Sequence, residues 1–174
     1  MAKLVFALNQ SLDGYTDHME FPPDPMLFRH FIRDVAGLSG AVYGRAMYEA
    51  MRYWDEDRPE WDEGMHEYAA GWRRMPKWVV STTMTAVGPN ATLVGAYAVS
   101  AIGDVKRRID GTLQVAGPKL AAGLAELVDE YQIYVHPVVL GRGTPLFAAK
   151  PPSLRLVGHD QVSDRVVRLT YVPA

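Results

Sequence analysis

The chain has 174 residues, 18 Lys and Arg against 20 Asp and Glu, a net charge of -2 and 48% hydrophobic residues. That length and apolar content suit one domain over 1–174, because a chain of this size buries roughly 70% of its unfolded surface. The basic residues are scattered, which argues against nucleic acid as a partner, and the absence of cysteine excludes disulfides and thiolate chemistry.

Lys3 to Asn9 is a Leu/Val/Phe-rich run that stops at Ser11-Leu12-Asp13-Gly14, which predicts a buried strand ending in a polar turn. This apolar start is too short for a secretion signal or a membrane span, so the expected location is the cytoplasm, with no membrane partner. Pro22-Pro23-Asp24-Pro25 starts a helix whose apolar face carries Met26, Leu27, Phe28, Phe31, Ile32 and Val35, up to Gly37. Ala41 to Tyr43 is a short strand, and Gly44-Arg45 leads directly into a helix through Met51. Asp55 to Glu63 reads as a solvated acidic loop, and Met65 to Met75 as a helix.

Lys77 to Ser81 is a strand opening into Thr82-Thr83, and Ala91 to Val94 a second strand before a helix reaching Ile109. Thr112 to Ala116 is a buried strand stopped by Gly117-Pro118. The spacing of Leu120, Leu124, Leu127 and Val128 predicts a strong helix from Lys119 to Glu130, and Tyr131 to Leu140 reads as the longest strand. Alternating residues in Leu154–Val157 and Val166–Tyr171 predict a terminal hairpin. The fold class is therefore α/β, three layers with a mostly parallel mixed sheet and a C-terminal β-hairpin.

In such a sheet, ligands bind beyond the carboxyl ends of the parallel strands, where glycines permit close approach and helix starts face anions. Three strand ends carry suitable residues: Gly44-Arg45, the hydroxyls of Ser81-Thr82-Thr83, and Gly117-Pro118-Lys119. Neither a GxGxxG fingerprint nor a GxxxxGK[ST] loop is present, so a dinucleotide would bind in another way. The histidines at 18, 30, 66, 136 and 159 show no ligand spacing, so no metal is expected, and no GxSxG elbow supports a hydrolase triad. His136 lies in a β run with no neighbouring carboxylate and reads as a sheet histidine. Asp24 and Asp34 read as cap or surface residues.

Ser11-Leu12-Asp13-Gly14, Gly44-Arg45-Ala46-Met47-Tyr48-Glu49, Ala116-Gly117-Pro118-Lys119-Leu120 and Val139-Leu140-Gly141-Arg142-Gly143-Thr144-Pro145-Leu146-Phe147 give the chain a family likeness over nearly its whole length. It resembles the dihydrofolate-reductase-like superfamily, and within it the reductase domain of the riboflavin-biosynthesis deaminase-reductase (RibD C-terminal domain-like). The resemblance implies NADPH across the strand ends and hydride transfer to a small heterocyclic or carbonyl substrate. By position, Leu8, Ser11, Leu12 and Gly14 would flank the nicotinamide, and Gly44 and Arg45 would contact the adenosine-side phosphates. Ser81 and Thr82 would meet the adenine ribose and its 2′-phosphate, with Arg45 favoured over Lys77 for that phosphate. Ala116, Gly117, Pro118, Lys119 and Leu120 would hold the pyrophosphate.

Asp13 is the one carboxylate placed at the nicotinamide edge, a candidate catalytic contact or proton relay, with a simple turn-forming role as the alternative. Phe28, Tyr48 and Gly141 are candidate substrate contacts, with Tyr15 and Trp54 as further aromatics, although the helical spacing of Phe28 with Phe31 and Ile32 is more simply a core face. The first helix lacks the acid that folate reductases carry, so classical folate reduction is not expected. Arg29, Arg52 and Arg142 are the only basic residues available for a substrate phosphate. A homodimer is a further expectation from the resemblance, though Ala121 to Val128 reads first as core packing. Two other readings stay open: a pocket that binds NADPH without turnover, and an interaction protein with an emptied pocket.

Overall fold

The computed structural model describes every residue except Pro23 and the side chain of His18. Its centre is an eight-stranded sheet of β1 Lys3–Gln10, β2 Gly40–Gly44, β3 Lys77–Val80, β4 Ala91–Val94, β5 Thr112–Ala116, β6 Glu130–Val135, β7 Leu154–Gln161 and β8 Val167–Pro173. The strand order is β4-β3-β2-β5-β1-β6-β8-β7. The first six strands in that order are mutually parallel, and β8 and β7 add an antiparallel ribbon beside β6. All six parallel strands therefore present their carboxyl ends along one edge.

Helices α1 Pro25–Gly37, α2 Arg45–Met51, α3 Glu63–Arg74, α4 Ala98–Arg108 and α5 Pro118–Gly123 cover the two faces. Strand alternation sorts the core into layers. Leu4 and Phe6 of β1, Val42 of β2 and Leu113 and Val115 of β5 pack with Ile102 of α4 and Ala121 of α5. Ala41 and Tyr43 of β2 face the other way, against Val35 of α1 and Trp72 of α3. Central strands are thus buried on both faces, which is why they read as nearly continuous apolar runs. Each fully buried Leu or Val among them stabilises the fold by roughly 1.5–3 kcal/mol.

Local signals fix the helix starts. Asp24 caps α1, its Oδ1 accepting the Leu27 N–H at 3.0 Å, with Pro25 supplying a helix-compatible φ in the first turn. Burial raises the Asp24 pKa, but the Leu27 N–H and the Ser163 hydroxyl outweigh it and hold the carboxyl below its ordinary value. Asp62 caps α3 by accepting the Met65 N–H at 2.8 Å, and Arg73 and Arg74 complement the negative end of that helix.

Three predicted elements differ. The helix expected over Lys119–Glu130 stops at Gly123, followed by a single 3-10 turn at Ala125–Leu127, and Glu130 instead pairs with Val5 as the first residue of β6. The strand expected to reach Leu140 ends at Val135, because Pro137 has no N–H for a ladder; β1 and β7, of eight residues each, are longer. The acidic stretch is only partly solvated: Trp61 is buried, its Nε1–H donates to the Tyr53 hydroxyl at 2.8 Å, and its ring lies 5.1 Å from Trp54. The hairpin is present, with its first strand extended to Gln161. Among the described residues no helix is long and apolar enough to cross a membrane.

Candidate functional site

Sheet register brings the expected residues together at the carboxyl edge. Tyr43 pairs with Ala116 and Gly44 with Val80, so Gly44, Ser81 and Gly117 end three neighbouring strands. On the other side of β5, Phe6 pairs with Val115, which sets Leu8 two residues further along β1, beside the Gly117 turn.

Gly117 has φ +107 and ψ 126, a conformation that side-chain-bearing residues rarely adopt, and nothing lies within 4 Å of where a Cβ would stand. The glycine leaves open space on the outside of the strand end, the arrangement a closely approaching ligand backbone requires. Pro118 begins α5, Lys119 is exposed, and the Leu120 Cβ lies 3.9 Å from the Cβ position of Gly44, closing α5 against β2. With α5 spanning only six residues and α2 seven, this edge relies on backbone clearance and side-chain charge more than on helix dipoles.

Arg45 is exposed at the start of α2. Its Nε donates to Glu49 at 2.9 Å and its Nη1 to the Thr83 hydroxyl at 3.3 Å, so the guanidinium spans from α2 to the loop after β3. Within that loop the Ser81 hydroxyl oxygen accepts the N–H groups of Thr83 and Met84 at 3.2 and 3.1 Å, leaving Thr82 exposed at the tip. Arg45, Ser81, Thr82 and Thr83 thus form one corner. Lys77 is excluded from it: the side chain is 2% exposed, donates to the Met75 carbonyl at 2.8 Å and lies 4.1 Å from the Trp72 ring centroid.

The turn after β1 is held from several directions. Ser11 is buried and its hydroxyl donates to Asp13 Oδ1 at 2.6 Å while accepting the Tyr15 N–H at 2.9 Å. Gly14, at φ +88, donates its N–H to the Ser11 carbonyl at 3.0 Å. Leu12, 61% exposed, donates its N–H to Val138, and its side chain stands as an apolar surface at this strand end. The Asp13 carboxylate also accepts the N–H groups of Leu140 and Gly141. The Ser11 hydroxyl above all, opposed by desolvation and aided by those two N–H groups, holds its pKa down at about 2. Asp13 therefore ties the turn after β1 to the loop after β6, its carboxylate accepting from Ser11, Leu140 and Gly141.

Tyr48 also changes role. The residue is 1% exposed within the core between α2 and α3, and its hydroxyl accepts the Gly88 N–H at 2.7 Å. It anchors the loop before β4 rather than facing a substrate. Phe28 packs with Trp54 and Tyr68 at centroid distances of 6.3 and 5.6 Å, an aromatic contact joining α1 to α3. Gly141, at φ +71, keeps its place in the turn facing Asp13.

Sequence reading missed one pair. His136, just past β6, is buried, shares a hydrogen bond of 2.8 Å between Nε2 and Asn9 Oδ1, and stacks on Phe21 at 4.3 Å. Burial is the largest influence on its imidazole, Asp24 opposes it and Arg165 reinforces it, and the pKa falls below its ordinary value. A separation of 127 residues between Asn9 and His136 leaves no short-range sequence signal for this contact.

The chain shares its architecture with proteins of known structure. Dihydrofolate reductase from Enterococcus faecalis, complexed with NADP(H) and RAB-propyl, superposes with a TM-score of 0.68 at 14% identity, covering 98% of this chain and 95% of that one. A Shewanella sp. PV-4 protein described under riboflavin biosynthesis superposes with a TM-score of 0.75 at 26% identity, over 100% of this chain and 99% of the other. Bacillus subtilis (strain 168) YyaP is 24% identical over 184 residues, 97% of this chain and 94% of its own length. These matches identify the dihydrofolate-reductase-like fold. The RibD C-terminal domain pattern matches residues 2–168, and the chain belongs to that family.

Proposed function

We propose that this chain is an NADPH-dependent reductase of the cytoplasm that directs hydride to a small heterocyclic or carbonyl substrate. One observation carries the reading: Gly117 holds a positive φ with open space outside it, on the same sheet edge where Arg45 reaches across to the Ser81–Thr83 loop. Gly117 to Leu120 would cradle the pyrophosphate, and Arg45 with Ser81 and Thr82 would receive the 2′-phosphate, for which a planar guanidinium is well matched. NADPH, when bound, supplies the hydride. The protein supplies position: Leu8 and Leu12 offer apolar surface beside the strand-end turn, and the loop tied by Asp13 bounds it.

A second reading has its own support. No acid stands in the first turn of α1, and the one carboxylate of the β1 turn is engaged by the loop after β6. Both facts fit a pocket that binds NADPH without turnover.

Comparing NADPH and NADH affinities of wild type and Arg45→Ala tests the cofactor assignment. Loss of a charge-assisted contact of on the order of 1.5–3 kcal/mol should weaken NADPH by a factor of ten or more and leave NADH nearly unchanged. Equal weakening of both would remove Arg45 from the 2′-phosphate site. Oxidation of NADPH by any member of a carbonyl and heterocycle panel would then separate reductase from binding module.

A further inference from the structure

A groove of about 250 Å³ opens on the α1 side of the sheet, away from the edge described above. Its floor is Val5 and Ala7 of β1, flanked by Gln114 of β5 and Gln132 of β6, with Arg33 from the last turns of α1 and Arg168 of β8 on the two rims. The groove reaches Thr112, the first residue of β5, which lies four residues from its carboxyl end, about 13 Å at 3.3 Å per residue.

The floor is chemically out of place. Alternation sends Leu4, Phe6, Leu113 and Val115 into the core on the opposite face, so the layered fold leads one to expect apolar residues here too. Val5 pairs with Gln114 and Ala7 with Gln132, which sets the two amides diagonally across β1 with a flat apolar strip between them. Two strand spacings and two residues of offset put their backbones about 12 Å apart. Gln132 donates to Glu130 at 2.7 Å, which leaves its carbonyl oxygen open, and the half-buried Gln114 amide makes no protein hydrogen bond among the described residues. A carboxamide offers donor and acceptor in one plane, and here both stay accessible to a ligand in the groove.

The groove also carries one carboxylate, Asp34, which is engaged by His30 and by the Tyr134 hydroxyl at 3.1 Å each, and its two arginines differ in charge availability. Arg168 is held by Asp160 at 2.7 Å, whereas Arg33 has no carboxylate partner among the described residues. A free guanidinium above two amides suits a ligand with one anionic group.

We infer that this groove is a second binding site, for a planar heterocycle with amide edges and a single anionic group, lying on Val5 and Ala7 between Gln114 and Gln132. The volume equals roughly eight waters at about 30 Å³ each, room for a ring system of that kind. The proposal is independent of the reductase reading, because none of these residues belongs to the strand-end site.

Urate, whose charge resides on the ring, and inosine monophosphate, whose charge is a phosphate, serve as probes in calorimetric titrations of the full chain. The expected result is saturable one-to-one binding of at least one probe, weakened tenfold or more by Gln114→Leu and by Arg33→Ala and unchanged by Arg45→Ala. Preference for urate would assign a free heterocyclic acid, and preference for inosine monophosphate a nucleotide. Arg33 is exposed, so its substitution leaves the fold intact. Absence of binding by both probes, or binding insensitive to both groove variants, would overturn the proposal.

Discussion

Asp13 accepts the backbone N–H groups of Leu140 and Gly141 at 3.1 and 2.7 Å, so one carboxylate ties together two loops separated by 127 and 128 residues. The anion is the required form, since two N–H groups and the Ser11 hydroxyl all donate to it.

Asp13→Asn should therefore lower Tm at neutral pH. A folded pKa of about 2 lies below the unfolded value of about 3.9, so the stabilisation is complete above the unfolded value and is lost as pH falls through the folded one. Thermal melts should show a wild-type advantage that is constant above about pH 5 and shrinks steadily from pH 4 toward pH 2. A difference that does not vary with pH would mean that the charge is not what matters at this position.

Tyr48→Phe separates the anchoring role from a substrate role. The variant leaves the Gly88 N–H without its 2.7 Å acceptor and should destabilise the fold by about 1–3 kcal/mol in denaturant titrations. Cofactor affinity and any substrate KM should stay within about twofold of wild type.

Lys77 gives a signature at the alkaline end. Burial, opposed weakly by Asp55, pushes its ammonium down to about 8, whereas an unfolded lysine titrates near 10.4. Between those values the unfolded chain binds more protons, so stability rises with pH across that window. Relative to Lys77→Met, wild type should gain stability from pH 8 to pH 10, and the two curves should run parallel below pH 7.

Gly117→Ala tests backbone against space. No atom would clash with the new Cβ, so the φ of +107 alone should cost about 1–3 kcal/mol of stability. The methyl would also occupy the open side of the turn, and dinucleotide affinity should fall more than stability does, as read by titration under conditions where the variant is fully folded.

Much of the layered fold was legible because its signals are local. The apolar runs at Lys3–Gln10 and Thr112–Ala116 end in turn residues, and Asp24-Pro25 marks the start of α1. The failures came where tertiary pairing overrides periodicity. Leu124 and Val128 keep helical spacing, yet Gly123 ends α5 and pairing with β1 draws Glu130 into the sheet. At the site, Gly44, Arg45 and Gly117 were readable from strand-end punctuation. The roles of Asp13, Tyr48 and His136 were not, because their partners Gly141, Gly88 and Asn9 lie 128, 40 and 127 residues away.

The most direct test of the reductase account is a titration of the purified chain with NADPH and NADH, followed by nicotinamide fluorescence and thermal shift. The account predicts saturable binding with NADPH preferred at least tenfold and a rise in Tm with cofactor concentration. Failure of both dinucleotides to bind would contradict it and leave the strand-end glycines as turns of the fold alone.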